Sequence, residues 1–331
     1  MQWGAQLAVD QINARGGVRG RSLKLRLADD SASENAAVRV AQAFYDNPAV
    51  VAVVGHLTSD ASIAAALIYG SGSRPVTMIS PSASSPDLSG TNSYAFRICP
   101  SDSSHGTALA RFAWQTLAAR RAGIVFISDA YGRGVRKAFA ADFARLGGSV
   151  VESDPYVPTT RSLEPYLSRM RQVGIDVLLL ATDRRGAELA LQELRALGLR
   201  WPVLAGDALT GIETAGTLGE GVRISAAYLA DRAGEKNATF VAEYARAHAG
   251  QRPDHRAAGA YDIVNLLAQA ISAAGPSRGA VRDYVASVGR ETPAFEGVTG
   301  RIAFDSAGDV PSKGVVIAVV RGGRMVAELG E

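Results

Sequence analysis

Val50-Val51-Ala52-Val53-Val54-Gly55 runs directly into His56-Leu57-Thr58-Ser59-Asp60, and further on Val76-Thr77-Met78-Ile79 runs into Ser80-Pro81-Ser82-Ala83-Ser84-Ser85-Pro86. A short, continuous apolar run with β-branched residues is the pattern of a strand buried in a parallel sheet. Residues 61–69 have helical character, so Thr58, Ser59 and Asp60 fall at a strand-to-helix turn, where N-caps belong. The free N–H groups and the positive dipole end of such a helix favour an anion. Two such turns on one edge of a sheet form a polar cup suited to a small carboxylate. Taken alone, either turn also reads as ordinary helix capping.

Working outward, helix and strand patterns alternate. Residues 4–14 carry apolar side chains at helical spacing and stop at Gly16-Gly17. Leu23-Lys24-Leu25-Arg26-Leu27-Ala28 alternates cleanly and predicts a strand closing on Asp29-Asp30. A helix over 36–46, the Val50 strand, the 61–69 helix, the Val76 strand and a strand over 94–98 follow. The cycle restarts with a helix over 104–118 and a strand over 121–127 leading into Ser128-Asp129-Ala130-Tyr131-Gly132. Helices over 134–146, 162–173 and 187–197 then alternate with strands over 150–156, 176–181 and 202–206, and a strand over 223–229 follows. Helices over 238–249, 255–274 and 278–288 lead to strands near 300–304 and 315–321.

Repeated β–α units with short glycine-bounded links imply α/β architecture with parallel sheets flanked by helices. Two runs of units, followed by elements that need homes in both, predict two lobes: 1–100 plus 232–309, and 101–231 plus 310–331. In open α/β sheets ligands bind outside the carboxyl ends of the strands. The candidate contacts Thr58, Ser59, Ser82, Ala83, Ser84, Tyr131, Asp183 and Asp207 all follow predicted strands, and a ligand touching all of them is expected in a cleft between the lobes.

Bulk composition excludes several classes. The 331 residues are 47% hydrophobic and 20% charged, which is the balance of a globular chain. Thirty-five basic residues against 32 acidic ones, with no aromatic-interleaved basic stripe, argue against nucleic acid as a partner. The single cysteine, Cys99, excludes an internal disulfide and a thiolate metal site, and reads as a small core residue. No apolar run approaches the ~18 residues of a membrane span. The four histidines show no metal-ligand spacing, and His56 near Ser59 lacks the Gly-x-Ser-x-Gly elbow of a hydrolase. Gly16-Gly17-Val18-Arg19-Gly20 and Gly132-Arg133-Gly134 read as caps and turns, so no cofactor is expected.

In this order and spacing, the chain resembles the type I periplasmic solute-binding proteins of the branched-chain amino acid (leucine/isoleucine/valine) class that feed ABC importers. The marks are Gly4-Ala5-Gln6-Leu7-Ala8-Val9 with Ile12-Asn13-Ala14-Arg15-Gly16-Gly17-Val18; Asp29-Asp30; Gly55-His56-Leu57-Thr58-Ser59; and Ile79-Ser80-Pro81-Ser82-Ala83-Ser84. Further marks are Tyr131-Gly132-Arg133-Gly134, Ala260-Tyr261-Asp262, Phe295-Glu296-Gly297-Val298-Thr299-Gly300, and Ile302-Ala303-Phe304-Asp305 through Gly308-Asp309. The resemblance implies two Rossmann-like lobes joined by a multi-crossover hinge, no enzymatic activity, a periplasmic location, a membrane permease as partner and a monomeric state. It also implies that Thr58, Ser59, Ser82, Ala83 and Ser84 hold a ligand carboxylate, that Tyr131 forms an aromatic wall, and that Asp207 meets an α-ammonium. The same fold serves sensing modules for amides or amino acids, which is the alternative function.

Three departures accompany the resemblance. Asp183 stands where leucine-type members often have an aromatic residue, and it faces either a polar ligand or solvent beside Arg184-Arg185. Ala32 and Thr58 stand near where some members carry a disulfide. The family begins with a strand and a glycine-rich loop before the Gly4 helix, whereas here Met1 opens on that helix. The expectation is that Met1 is an internal methionine, with leader and first strand upstream. A chain lacking that strand would leave backbone groups unpaired and be poorly stable.

Overall fold

The structure, a computed structural model, describes residues 1–328. The chain divides into two units: Met1–Ser101 with Ala230–Lys313, and Asp102–Leu229 with the chain from Gly314 onward. It passes from one unit to the other three times. The last three residues of the second expected lobe, 329–331, lie outside the described residues.

The first unit begins with helices α1 (Gln2–Ala14) and α2 (Glu34–Asp46), then β1 (Ala52–Val54), α3 (Ser59–Tyr69), β2 (Thr77–Ser80) and β3 (Ala95–Arg97). β1, β2 and β3 form a parallel three-stranded sheet in that order, with Val54 opposite Ile79 and Ile79 opposite Phe96. The second unit takes up α4 (Asp102–Gln115), β4 (Arg121–Ile127), α5 (Ala130–Arg145), β5 (Ser149–Tyr156), α6 (Glu164–Val173), β6 (Val177–Ala181), α7 (Arg184–Ala196), β7 (Val203–Ala205) and β8 (Arg223–Ala226). The chain returns to the first unit for α8 (Glu235–Ala247), α9 (His255–Ala274), α10 (Arg278–Ser287) and the β9 (Phe295–Gly297)–β10 (Gly300–Ile302) hairpin. It ends in the second unit with β11 (Val316–Arg321) and β12 (Arg324–Ala327).

The second sheet runs β12-β11-β8-β7-β6-β4-β5, parallel from β5 to β8 and antiparallel across β8, β11 and β12. Its interior strand β6 is buried throughout, as expected for a strand covered by helices on both faces. The two faces pack against Leu163, Leu167, Met170 and Leu191 on one side and Leu109, Phe139 and Phe143 on the other.

Small side chains dominate two of the packing clusters of the first unit, while a third is built from large ones such as Ile79, Phe96, Leu266 and Phe304. α1 lies against α9 through Gly4, where a Cβ would stand 1.9 Å from the Ala257 carbonyl oxygen. Only glycine permits that approach, which seats Ala5, Ala8, Val9 and Ile12 against Ala260, Val264 and Ala268. Behind the β9–β10 hairpin, Asp262 accepts from the Val298 and Thr299 N–H groups and the Thr299 hydroxyl, which in turn accepts from Lys313. Burial holds the Lys313 ammonium down at about 8, opposed by the nearby Asp262 carboxylate.

The segment expected as a strand over 23–28 is a correction. Its burial follows the alternation only in part: Leu23 and Leu25 are half-buried and Lys24 and Arg26 exposed, but Leu27 is exposed as well. Among the described residues it joins no ladder, so it is not a strand. Pairing is a property of two segments, and the alternation of one segment does not supply its neighbour. Two helices also begin earlier than their apolar periodicity indicated, α5 at Ala130 and α7 at Arg184.

Candidate functional site

In the first unit, the two hydroxyl-bearing loops leave the carboxyl ends of adjacent parallel strands, β1 and β2. They are tied to each other by hydrogen bonds. The Ser80 hydroxyl donates to the His56 carbonyl at 2.6 Å and accepts from the Ala83 N–H at 2.9 Å. The Ser59 hydroxyl accepts from the Ser85 N–H at 3.2 Å. Ser59 opens α3 and Thr58 occupies its N-cap position, yet the Thr58 side chain makes no capping bond. Its hydroxyl oxygen is buried without a hydrogen-bond partner among the described residues. A buried hydroxyl left in that condition costs about 1–3 kcal/mol.

Arg97 is the structural key to this region. It is 1% exposed, and its guanidinium donates to the carbonyls of Ser84 (2.8 Å) and Ser85 (2.7 Å). The other edge pairs with both carboxylate oxygens of Asp309, at 2.8 Å each. The fork geometry of arginine suits this double engagement, and a lysine would not reproduce it. The Ser82 hydroxyl stands 3.2 Å from Nε2 of His255, the first residue of α9. Ala83 and Ser84 are buried, and the Cys99 thiol, also buried, lies 3.5 Å from the Ala83 carbonyl. His56 is turned away from any role with Ser59: its Nδ1 lies 2.5 Å from Asp30 and its Nε2 3.3 Å from the Tyr69 hydroxyl. The hydrogen bond from His56 holds the Asp30 carboxyl below its ordinary value.

In the second unit, Tyr131, Asp183 and Asp207 follow β4, β6 and β7, which are successive neighbours in the sheet. Asp129 caps α5 by accepting from the Gly132 N–H at 2.7 Å, which places Tyr131 on the first helical turn rather than in a loop. The Tyr131 hydroxyl accepts from the Ala208 N–H at 3.2 Å and sits where a side chain on Gly206 would be, 2.0 Å from that Cβ position. Burial, reinforced by Asp207 and Asp102, pushes its phenol well above the ordinary value, so it remains neutral. Asp207 is 2% exposed and lies 3.8 Å from Nε2 of His105, whose other ring nitrogen is 3.0 Å from the Ser225 hydroxyl.

Asp183 is the N-cap of α7. Its Oδ1 accepts from the Gly186 N–H at 2.8 Å and from the Tyr156 hydroxyl at 2.9 Å. The neighbouring Arg184 pairs instead with Glu188. Five residues that organise these surfaces, Ser80, Arg97, His105, His255 and Asp309, were not singled out as contacts. Arg97 had a signal: a cation inside the apolar run Ala95-Phe96-Arg97-Ile98 has to find an acid when buried. The histidines carried none, since their partners come from elements far along the chain.

An α/β chain that passes three times between two units, with polar strand-end loops in each, has the architecture of the two-domain class that includes solute-binding proteins and ligand-sensing modules. Residues 1–324 match the periplasmic binding protein family, and the chain belongs to that family of binding proteins rather than enzymes. An ABC transporter substrate-binding protein from Desulfitobacterium hafniense, solved in complex with Leu, is 30% identical with a TM-score of 0.85, covering 99% of this chain and 95% of that one. The branched-chain amino acid transporter substrate-binding protein LivJ from Streptococcus pneumoniae, in complex with isoleucine, is 26% identical with a TM-score of 0.86, covering 98% and 92%. An amino acid binding protein from Pseudomonas aeruginosa is 28% identical over 217 residues, 65% of this chain and 58% of that protein's length.

Proposed function

We propose that this protein is the extracytoplasmic substrate-binding component of an ABC importer, and that it captures a branched-chain or related amino acid. The observation that carries the reading is the pair of cross-tied loops after β1 and β2, with the unpartnered Thr58 hydroxyl at the start of α3. A ligand carboxylate there meets N–H groups, the hydroxyls of Thr58, Ser59, Ser82 and Ser84, and a helix dipole, without needing a buried cation of its own. The Ala83 backbone belongs to the same loop. In the second unit Asp207 receives the α-ammonium, with the neutral Tyr131 ring as the apolar wall beside it. Charge-assisted bonds of this kind are worth about 1.5–3 kcal/mol each. A ligand that engages both units shifts the population toward the form in which all its contacts are made. The loaded protein is what a membrane permease receives.

A thermal-shift panel of amino acids, short amides and aromatic carboxylates, followed by calorimetry, tests the assignment. Leucine, isoleucine or valine is expected to raise Tm in a concentration-dependent way. A rise confined to amides or aromatic carboxylates sinks the amino acid reading. Asp207→Ala is expected to abolish amino acid binding, and unchanged affinity contradicts its role.

A further inference from the structure

In the second unit Asp207 stands in a ring of contacts drawn from four elements. It opens the single turn Asp207–Leu209 after β7 and is buried. Tyr131, on α5, fixes the backbone of that turn by accepting from the Ala208 N–H. The carboxylate faces His105 on α4, whose Nε2 lies 3.8 Å from Asp207 Oδ2. His105 is fully buried, and its Nε2 has no hydrogen-bond partner among the described residues. Its Nδ1 lies 3.0 Å from the Ser225 hydroxyl on β8, and that hydroxyl lies 3.4 Å from the carbonyl of Ala205, the last residue of β7. The ring thus runs from the end of β7 through Ser225 and His105 back to Asp207. α4 is seated tightly enough to hold the imidazole in place: a Cβ on Gly106 would stand 2.5 Å from that of Ala138 on α5, so only glycine permits the approach.

We infer that His105 is the positioning residue for Asp207: its Nε2–H orients the carboxylate for the ammonium of an amino acid, an inference that rests on the role proposed above for Asp207. The ring itself sets the tautomer. The Ser225 hydroxyl has one proton and two acceptors in reach, and Nδ1 is the nearer of them. Ser225 therefore donates to Nδ1, and the imidazole proton is left on Nε2, the nitrogen that faces the carboxylate. A neutral N–H beside a buried carboxylate supports its charge without placing a competing cation there. Arginine or lysine in the same place would repel the incoming ammonium. The 3.8 Å separation is longer than a hydrogen bond, and polar contacts of this kind tighten once a ligand completes the site. A carboxylate free to turn spreads its charge over several directions, whereas an ammonium is met from one. His105 acts on the ligand only through Asp207.

The test compares leucine with isocaproate, the same ligand without its ammonium, by calorimetry on the whole chain, with displacement titration where isocaproate binds weakly. Asparagine places an amide where Nδ1 stands and glutamine places one where Nε2 stands, so the two substitutions separate the two ends of the imidazole. His105→Asn is expected to weaken leucine binding about tenfold, the loss of one charge-assisted contact, and isocaproate binding by less than about twofold. His105→Gln is expected to keep leucine affinity within about threefold of the unsubstituted protein. The opposite order, or equal losses for the two ligands, makes His105 a brace between α4 and β8 and overturns the inference. A measurement on the unsubstituted protein does not depend on the folding of any variant. Histidine-selective nitrogen-15 NMR is expected to place the His105 proton on Nε2, and a proton on Nδ1 overturns the inference. Asp207→Ala separates this inference from the reading beneath it. If that substitution leaves the preference for leucine over isocaproate unchanged, Asp207 does not receive the ammonium and both fall. If it removes the preference while His105→Asn retains it, the role of Asp207 stands and this inference alone falls.

Discussion

The sheets of the two units grow from the same β–α repeat and end in different conditions. In the second unit seven strands lie side by side, and both faces of β6 are sealed by leucine, methionine and phenylalanine. In the first, the parallel sheet has three strands, alanines line two of the packing clusters while isoleucine, leucine, valine and phenylalanine fill a third, and a cavity of about 900 Å³ lies between β1 and segment 23–28. The difference teaches that helix and strand patterning sets which elements form, whereas cohesion depends on whether each edge meets a neighbour. The polar loops of the first unit therefore need a different anchor, and Arg97 with Asp309 provides it.

Amide exchange should expose the contrast most strongly. Residues 24–28 are expected to exchange on the order of a thousandfold faster than the central residues of β4 and β6, because they lack ladder partners. Equal protection in the two places would break the comparison. Arg97→Met is expected to cost about 3–5 kcal/mol, the penalty for leaving Asp309 without its cation, and to free the 82–85 loop. Denaturant unfolding followed by a probe in each unit should place that loss in the first. Asp30→Asn is expected to cost about 1.5–3 kcal/mol through the bond to His56. Its folded carboxyl is depressed, so its stabilisation is full above the ordinary carboxylate range and is lost as the pH falls through the lowered value. The substitution should therefore flatten the acid limb of a stability–pH curve, and an unchanged limb assigns that limb to other groups. The smallest effect belongs to the second unit. Asp183→Ala is expected to remove a cap worth about 1 kcal/mol and to leave ligand affinity within about twofold. A large loss of affinity with intact stability would return Asp183 to the ligand contacts.

Most elements were legible from local pattern, because apolar periodicity and glycine stops act within a few residues. The starts of α5 and α7 were placed too late. Asp129 and Asp183 extend their helices by capping the Gly132 and Gly186 N–H groups, and an apolar count ignores caps. The segment 23–28 alternated convincingly, yet its pairing depends on what lies beside it. The short strands β9 and β12 gave no pattern long enough to read. Of the candidate site, Thr58, Ser59 and Ser82–Ser84 stood out because hydroxyls cluster after apolar strands. Arg97 and Ser80 did not: their roles are set by Asp309, more than two hundred residues along, and by the His56 carbonyl on the neighbouring loop.

Because the chain crosses three times, neither unit is contiguous. During synthesis the first unit cannot close until Lys313 has emerged, and β11 reaches the second sheet later still. Everything up to Lys313 is thus translated before either unit is complete. Folding half by half in the order of synthesis is therefore denied to it.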